Sequence, residues 1–344
     1  MVGSKGDMKH HMECGYLERS YHKLGKNVQA MMCSLCHAGA PGLDFEDCSE
    51  SPLWSDTMYA SRPWSTTPPL TCAPYDNTKP EKPFCLDLFH LYKVGLGRHL
   101  CGAGICILSR LGFFDDGRES KAFPERLKRA HAAFKLWASA EAVKPGLRSF
   151  KPAFFGIKSK KTFPWANSKG SDTIIMCRWL RFYTSLALQE DTRSSRTHGD
   201  FLKLLNKTMH CALEVFRVVH HHGLWLEHPC AKYVYARLLL LIKGYRALAR
   251  KARGLKLAGF ALVPKFHALH HVAHSIADDL RRGCTLVLNP LVAACEQNED
   301  VTGRISKLAR ELNTRTLTSN VLERHLFKKR AVMSRHVRVR PKGK

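Results

Sequence analysis

The stretch Pro229-Cys-Ala-Lys-Tyr-Val-Tyr-Ala-Arg-Leu-Leu-Leu-Leu-Ile-Lys-Gly-Tyr-Arg-Ala-Leu-Ala-Arg-Lys-Ala-Arg253 decides the fold class. Its leucines, valine and tyrosines recur with the period of a helix that buries one face, and it is long enough to cross a core. Asp172 to Gln189 and Gly199 to His221 share that period. Farther upstream, Pro124 to Val143 reads as an amphipathic helix, with Leu127, Ala130, Phe134 and Trp137 inside and Arg126, Lys128, Arg129 and Lys135 outside. This half of the chain reads as all α. Segments with strand patterning are scarce elsewhere, so a mostly α protein is expected.

Phe84 to Gly112 reads as helical and buried, because Leu, Ile, Cys and Gly dominate Leu100 to Leu108 and the glycines suit close helix packing. At its start Asp87-Leu-Phe-His90 sets a carboxylate and an imidazole three residues apart, on one face of a helix. Such a pair serves either as a structural clasp or as part of a metal site. Before it, Cys33-Ser-Leu-Cys36-His37, followed by Gly39, Pro41 and Gly42, has the form of a knuckle turn. Two thiolates at this spacing can grip one tetrahedral zinc ion if two more ligands join them, and Cys48, Cys72, Cys85 and His90 are the candidates. Unligated buried thiols are the competing reading. The haem-attachment reading of Cys-x-x-Cys-His lacks the export signal it needs. Between knuckle and helix, Asp44 to Pro83 reads as an irregular loop anchored by Trp54 and Trp64.

Three further segments carry charge or potential ligands. Residues 144–169 interleave Lys158, Lys160 and Lys161 with Phe150, Phe163 and Trp165, as a loop that contacts phosphates and stacks on bases would, or as an anchored surface connector would. Arg246, Arg250, Lys251 and Arg253 crowd the end of the 229–253 helix, where cations also complement the helix dipole. His267, His270, His271 and His274 share one helical face, which is either a polar stripe or, through an i, i+4 pair, a chelating site. After Asn289-Pro290, Leu291 to Leu312 reads as a helix with Glu296, Glu299 and Asp300 near its start, and a basic tail follows from Arg324.

The 344 residues carry 55 Lys and Arg against 29 Asp and Glu, a formal charge of +26, so a polyanionic partner is expected, nucleic acid before a membrane surface. With 44% hydrophobic residues the chain can bury a sizeable core. Met1 to Tyr16 has no apolar signal region, and no apolar run approaches the roughly 20 residues of a membrane span. Thirteen cysteines without a regular framework suit a reducing compartment. A soluble intracellular protein is expected.

Taken in order, Gly6-Asp7 with Arg19-Ser-Tyr21, Cys33-x-x-Cys36 with Ala38-Gly39, Asp87-x-x-His90, Pro264-Lys-x-His267-x-x-x-His271 and the late Glu-bearing helix resemble the motif series of eukaryotic cut-and-paste DNA transposases. The resemblance is to the RNase H-like DDE enzymes of the CACTA and Kyakuja-Dileera-Zisupton groups, and closer still to transposase-like proteins of unicellular algae. It runs from about Val2 to Leu326. It implies that Asp7 matches the second acid of the triad and Glu299, with Glu296 as the alternative, the third, while Asp87, His90, His267 and His271 match accessory motifs. The family's first acid lies on a strand upstream of Asp7, and six residues cannot supply that part, so the resemblance implies a chain lacking it or a degenerate relative.

The fold expected from all this is mostly α, a helical insertion-type domain attached to a partial RNase H-like α/β remnant. The expected divisions are a remnant at 1–113, the insertion at 114–285, a C-terminal helix of the catalytic-like domain at 286–326 and a basic disordered tail at 327–344. The function expected is that of a transposase-derived, DNA-associated nuclear protein without independent catalysis. The alternatives are a strand-cleaving enzyme using Mg²⁺ or Mn²⁺ on Asp7, Glu299 and a substitute acid such as Asp87, and a basic helical scaffold for protein partners. Cys33, Cys36 and His90 are the expected zinc ligands, and Lys158, Lys160, Lys161, Arg246, Arg250, Lys251 and Arg253 the expected nucleic-acid contacts. Oligomeric state is left open.

Overall fold

The computed structural model describes residues 4–25, 31–72, 78–79, 82–115, 117, 120–190, 192–310, 320–327 and 330. In chain order its regular elements are β1 (Ser4–Lys5), α1 (Met8–Cys14), β2 (Phe84–Cys85), a π-helical segment Phe89–Leu96 continuous with α2 (Gly97–Arg110), and α3 (Phe123–Ala140). There follow α4 (Gly170–Gln189), α5 (Arg193–His221), β3 (Trp225–Glu227), α6 (His228–Gly254), α7 (Pro264–Arg281), β4 (Leu286–Leu288) and α8 (Glu296–Ala309). The protein is mostly helical, as the periodicity requires. Among the described residues no helix is long and apolar enough to cross a membrane.

Helix boundaries follow local chemistry. Pro229 and Pro264 sit in the first turns of α6 and α7, where a missing N–H is harmless. Thr192 caps α5 by accepting a hydrogen bond from the Ser195 N–H, and a break at His198 divides a short leading turn from the amphipathic run that begins at Gly199. α4 packs against α5, α5 against α6 and α6 against α7, while α2 meets α3 and α4. One continuous core results, to which Leu100 and Ile105 of α2, Phe134 of α3, Trp179 of α4, Leu205 of α5, Tyr245 of α6 and Phe266 of α7 all contribute.

Residues Met1–Ala294 form one compact unit and Cys295–Lys344 a second. The expected boundaries at 113/114 and 285/286 therefore fall inside the first unit, because α2 is buried in the same core as α3 to α7. α8, in the second unit, is shorter than the expected 291–312 helix, since Pro290–Ala293 forms a separate 3₁₀ turn. Residues 331–344, most of the expected disordered tail, lie outside the described residues.

Strands are few and short. β1 pairs in parallel with β2 in the register Ser4 to Phe84 and Lys5 to Cys85, and β3 pairs antiparallel with β4. Among the described residues β1–β2 is the one parallel pair, and two residues per strand do not make the sheet expected of an RNase H-like remnant. The irregular region from 31 to 72 keeps two small clusters outside the main core. One holds Met32, Cys36, Ala38 and Trp54, and the other joins Leu17, Trp64 and Phe84. Both tryptophans anchor this region as expected.

Candidate metal centre

The knuckle is built before any metal is considered. The Met32 N–H donates to the Ala38 carbonyl at 2.9 Å and closes the turn that holds Cys33 and Cys36. Within it the Leu35 N–H points at Cys33 Sγ and the Ala38 N–H at Cys36 Sγ, each at 3.4 Å, which favours thiolate character at both sulfurs. Arg19, only 6% exposed, braces the turn from outside. It donates to the carbonyls of Cys33 and Ser34 at 2.8 Å each, and to the Ser61 carbonyl and hydroxyl at 2.9 and 2.6 Å.

Helix α7 supplies the other half. His267 and His271 lie one turn apart on its buried face, and that face meets the knuckle. Cys36 Sγ is 3.3 Å from His267 Nε2 and 3.4 Å from His271 Nε2, Cys33 Sγ is 3.3 Å from His271 Nε2, and the two imidazole nitrogens are 3.0 Å apart. All four ligand atoms lie within 4.8 Å of one another and are buried. A tetrahedral ion with bonds of about 2.3 Å to sulfur and about 2.0 Å to nitrogen would space its ligands roughly 3.3–3.8 Å apart. The cluster has that donor set and nearly those dimensions, so it can hold a zinc ion. Two thiolates and two neutral imidazoles also cancel a divalent charge, which suits a buried position.

The surroundings prepare the ligands. His267 Nδ1 lies 3.2 Å from the Phe45 carbonyl, a contact that places the ring proton there and turns the Nε2 lone pair toward the sulfurs. The Trp54 indole stands edge-on to His267 at 4.6 Å and packs on His271 at 4.7 Å. Burial pushes the Cys33 thiol up, but the Cys36 hydrogen bond and the nearby His271 and His267 outweigh it and hold Cys33 well below the ordinary thiol range. Burial pushes Cys36 up, and Cys33 adds to that. A small pocket lined by Met8, His11, Tyr21, Phe84 and Pro264 reaches Cys33, His267 and His271 from one side.

His90, expected as a zinc ligand beside the cysteines, is not in this group. Its Nδ1 is 2.5 Å from Asp87 Oδ2, while Asp87 Oδ1 accepts from the Phe89 N–H at 2.7 Å. Asp87, 3% exposed, thus caps the π-helical segment and orients His90, which is the clasp reading of the Asp-x-x-His motif. The ligands that join the cysteines are His267 and His271, which the sequence marks only as an i, i+4 pair on a helix. None of the thirteen cysteines forms a disulfide.

Asp7 caps α1, its Oδ1 accepting from the His10 N–H at 2.7 Å. Burial works against its charge, but that bond and the positive groups of His90 and Lys265 outweigh it and hold the acid below its usual range. Since Lys5 pairs with Cys85 in parallel strands, Asp7 and Asp87 each follow two residues later at the same end of adjacent strands. Glu299 is exposed in the first turn of α8, in the second unit, and Glu296 opens that turn. Of the expected nucleic-acid contacts, Lys158, Lys160, Lys161, Arg250 and Arg253 are exposed. Arg246 is half-buried with Nη1 3.7 Å from Cys48 Sγ, and Lys251 lies 3.6 Å from Asp200.

No family model, curated protein or solved structure matches this chain. What it does has to be argued from its own residues.

Proposed function

We propose that this chain is a nucleic-acid-binding protein of transposase descent, without catalysis of its own, whose amino-terminal region is clasped to the helical body by a structural zinc ion on Cys33, Cys36, His267 and His271. The observation that carries the binding is the charge of +26. Exposed cations at this density attract phosphate, and each phosphate neutralised releases counterions. The descent is supported by the order of the motifs and by the parallel β1–β2 pair, which is what a remnant of an RNase H-like sheet would retain. The absence of catalysis is supported by the two acids near that pair, since Asp7 and Asp87 are both engaged as helix caps. Such a protein would work in the nucleus, on DNA.

The test is binding of a labelled DNA duplex by the full chain across a salt series, with metal content measured on the same sample. Affinity that falls steeply and linearly in log salt, with one zinc per chain that is lost in Cys36→Ser and His271→Ala, is expected. No binding even at low salt would leave a basic scaffold for protein partners.

One observation favours a second reading. Asp7 and Asp87 at the same end of adjacent parallel strands is how carboxylates that share divalent ions are placed. A strand-cleaving enzyme would hold Mg²⁺ or Mn²⁺ on Asp7, with Asp87 as a substitute acid. DNA cleavage dependent on either ion and abolished by Asp7→Asn and by Asp87→Asn would establish this reading in place of the first.

A further inference from the structure

Between α3 and α4 the chain runs through residues 144–169 without a single Asp or Glu. Lys144, Arg148 and Lys151, and farther on Lys158, Lys160, Lys161 and Lys169, are all exposed. The backbone beneath them is fixed. Phe150, Phe155 and Ala166 are buried in the main core, and the Ala166 N–H donates to the Arg98 carbonyl of α2 at 2.9 Å.

Residues 155–165 close on themselves as a lobe. The Trp165 N–H donates to the Phe155 carbonyl at 3.2 Å and the Asn167 N–H to the Phe154 carbonyl at 2.9 Å. Gly156, at φ +64°, lets the Trp165 indole lie against the base, where a Cβ would be 2.6 Å from Nε1. At the tip, Thr162 Oγ1 accepts from the Ser159 N–H at 3.0 Å. This fixed tip carries Lys158, Lys160 and Lys161 together with Phe163, a residue that is 51% exposed. A single exposed apolar residue needs no explanation. Phe163 is marked by its company, an aromatic face on an ordered, acid-free lobe of lysines.

We propose that this lobe binds single-stranded nucleic acid, with the three lysines on backbone phosphates and the Phe163 ring stacked on a base. The inference rests on the nucleic-acid reading above and narrows its ligand. In a duplex the base faces are already stacked on one another, so an aromatic ring beside cations gains a partner only on an unpaired strand. The order of the lobe reduces the conformational entropy lost on binding.

The experiment is fluorescence anisotropy of the full chain with a labelled oligothymidine of about 20 nucleotides and a duplex of equal length. Phe163→Ala is expected to weaken oligothymidine binding about 5-fold or more, as loss of one base stack does, and to leave duplex binding unchanged. Phe163→Trp should restore it, and both variants should melt like the parent because the side chain packs in no core. Replacing Lys158, Lys160 and Lys161 with Ala should lower the slope of log affinity against log salt by about 2 on the single strand. If Phe163→Ala binds oligothymidine as the parent does, or weakens both probes equally, the stacking proposal fails while the nucleic-acid reading stands. If the parent binds neither probe at low salt, both fall.

Discussion

Arg19 carries more of the amino-terminal region than its place in a polar stretch suggests. Its guanidinium ties the knuckle at Cys33 and Ser34 to Ser61, so two turns of irregular chain share one buried fork. Arg19→Ala would leave buried carbonyls without donors and should destabilise the fold by about 3 kcal/mol in urea titration. Arg19→Lys should recover little, because an ammonium cannot span these acceptors as a planar fork does. Buried histidines shape the response to acid, His11 and His99 among them. Burial lowers His11 and His99 to about 4, against an ordinary value near 6.5. The unfolded chain therefore takes up these protons first, so the stability held above pH 6.5 should be lost as pH falls from about 6.5 to about 4. The loss is up to about 3 kcal/mol for each histidine. His99→Gln should flatten the profile in that window, and an unchanged pH dependence of melting would contradict the assignment.

The elements legible in the sequence were those whose pattern is local. Helices α3 to α6 repeat an apolar face over four turns or more and are marked by that period, whereas α7 is marked only as the helical face that His267, His270, His271 and His274 share. The elements that escaped reading are made by partners far along the chain. β1 and β2 are two residues each, too short to show alternation, and exist because Ser4 meets Phe84. α1 hides among histidines, with only the Asp7 cap to announce it. The metal centre failed in the same way. The knuckle is legible and so is the i, i+4 histidine pair, but nothing local joins Cys36 to His267, and His90, the histidine nearer the cysteines in sequence, is already held by Asp87. The glycines of α2 are expected to serve close helix packing, but the neighbour that Gly102 admits is the irregular 144–169 segment. A Cβ on Gly102 would fall 2.6 Å from the Ala166 nitrogen and 2.7 Å from the Trp165 carbonyl carbon. Gly102→Ala should thus push the 144–169 segment off α2 and cost about 2 kcal/mol in denaturant unfolding.

At the scale of the molecule, the main core and the knuckle region differ in what holds them. Helices α2 to α7 share one large apolar core, whereas residues 31–61 contribute Cys48 to it and otherwise rest on the small cluster around Trp54 and on the four-ligand centre. Metal removal should therefore open one region and spare the other. Treatment with a strong chelator should expose the 31–72 region to limited proteolysis while far-ultraviolet circular dichroism keeps most of its helical signal. Cleavage within α4 to α6 at the same rate would contradict this division.

The clasp spans the sequence from Cys36 to His267, as a long-range disulfide would, yet it differs from one in a thermodynamic respect. A disulfide stays closed in the unfolded chain, while the four ligands come together only in the folded one. The stability that a zinc ion held there would confer is consequently a binding equilibrium, and each tenfold fall in free zinc would remove about 1.4 kcal/mol of it until the empty fold stands alone. The amount of folded protein would then follow the availability of an ion as well as the temperature, a supply dependence that a chain stapled by sulfur bonds does not have.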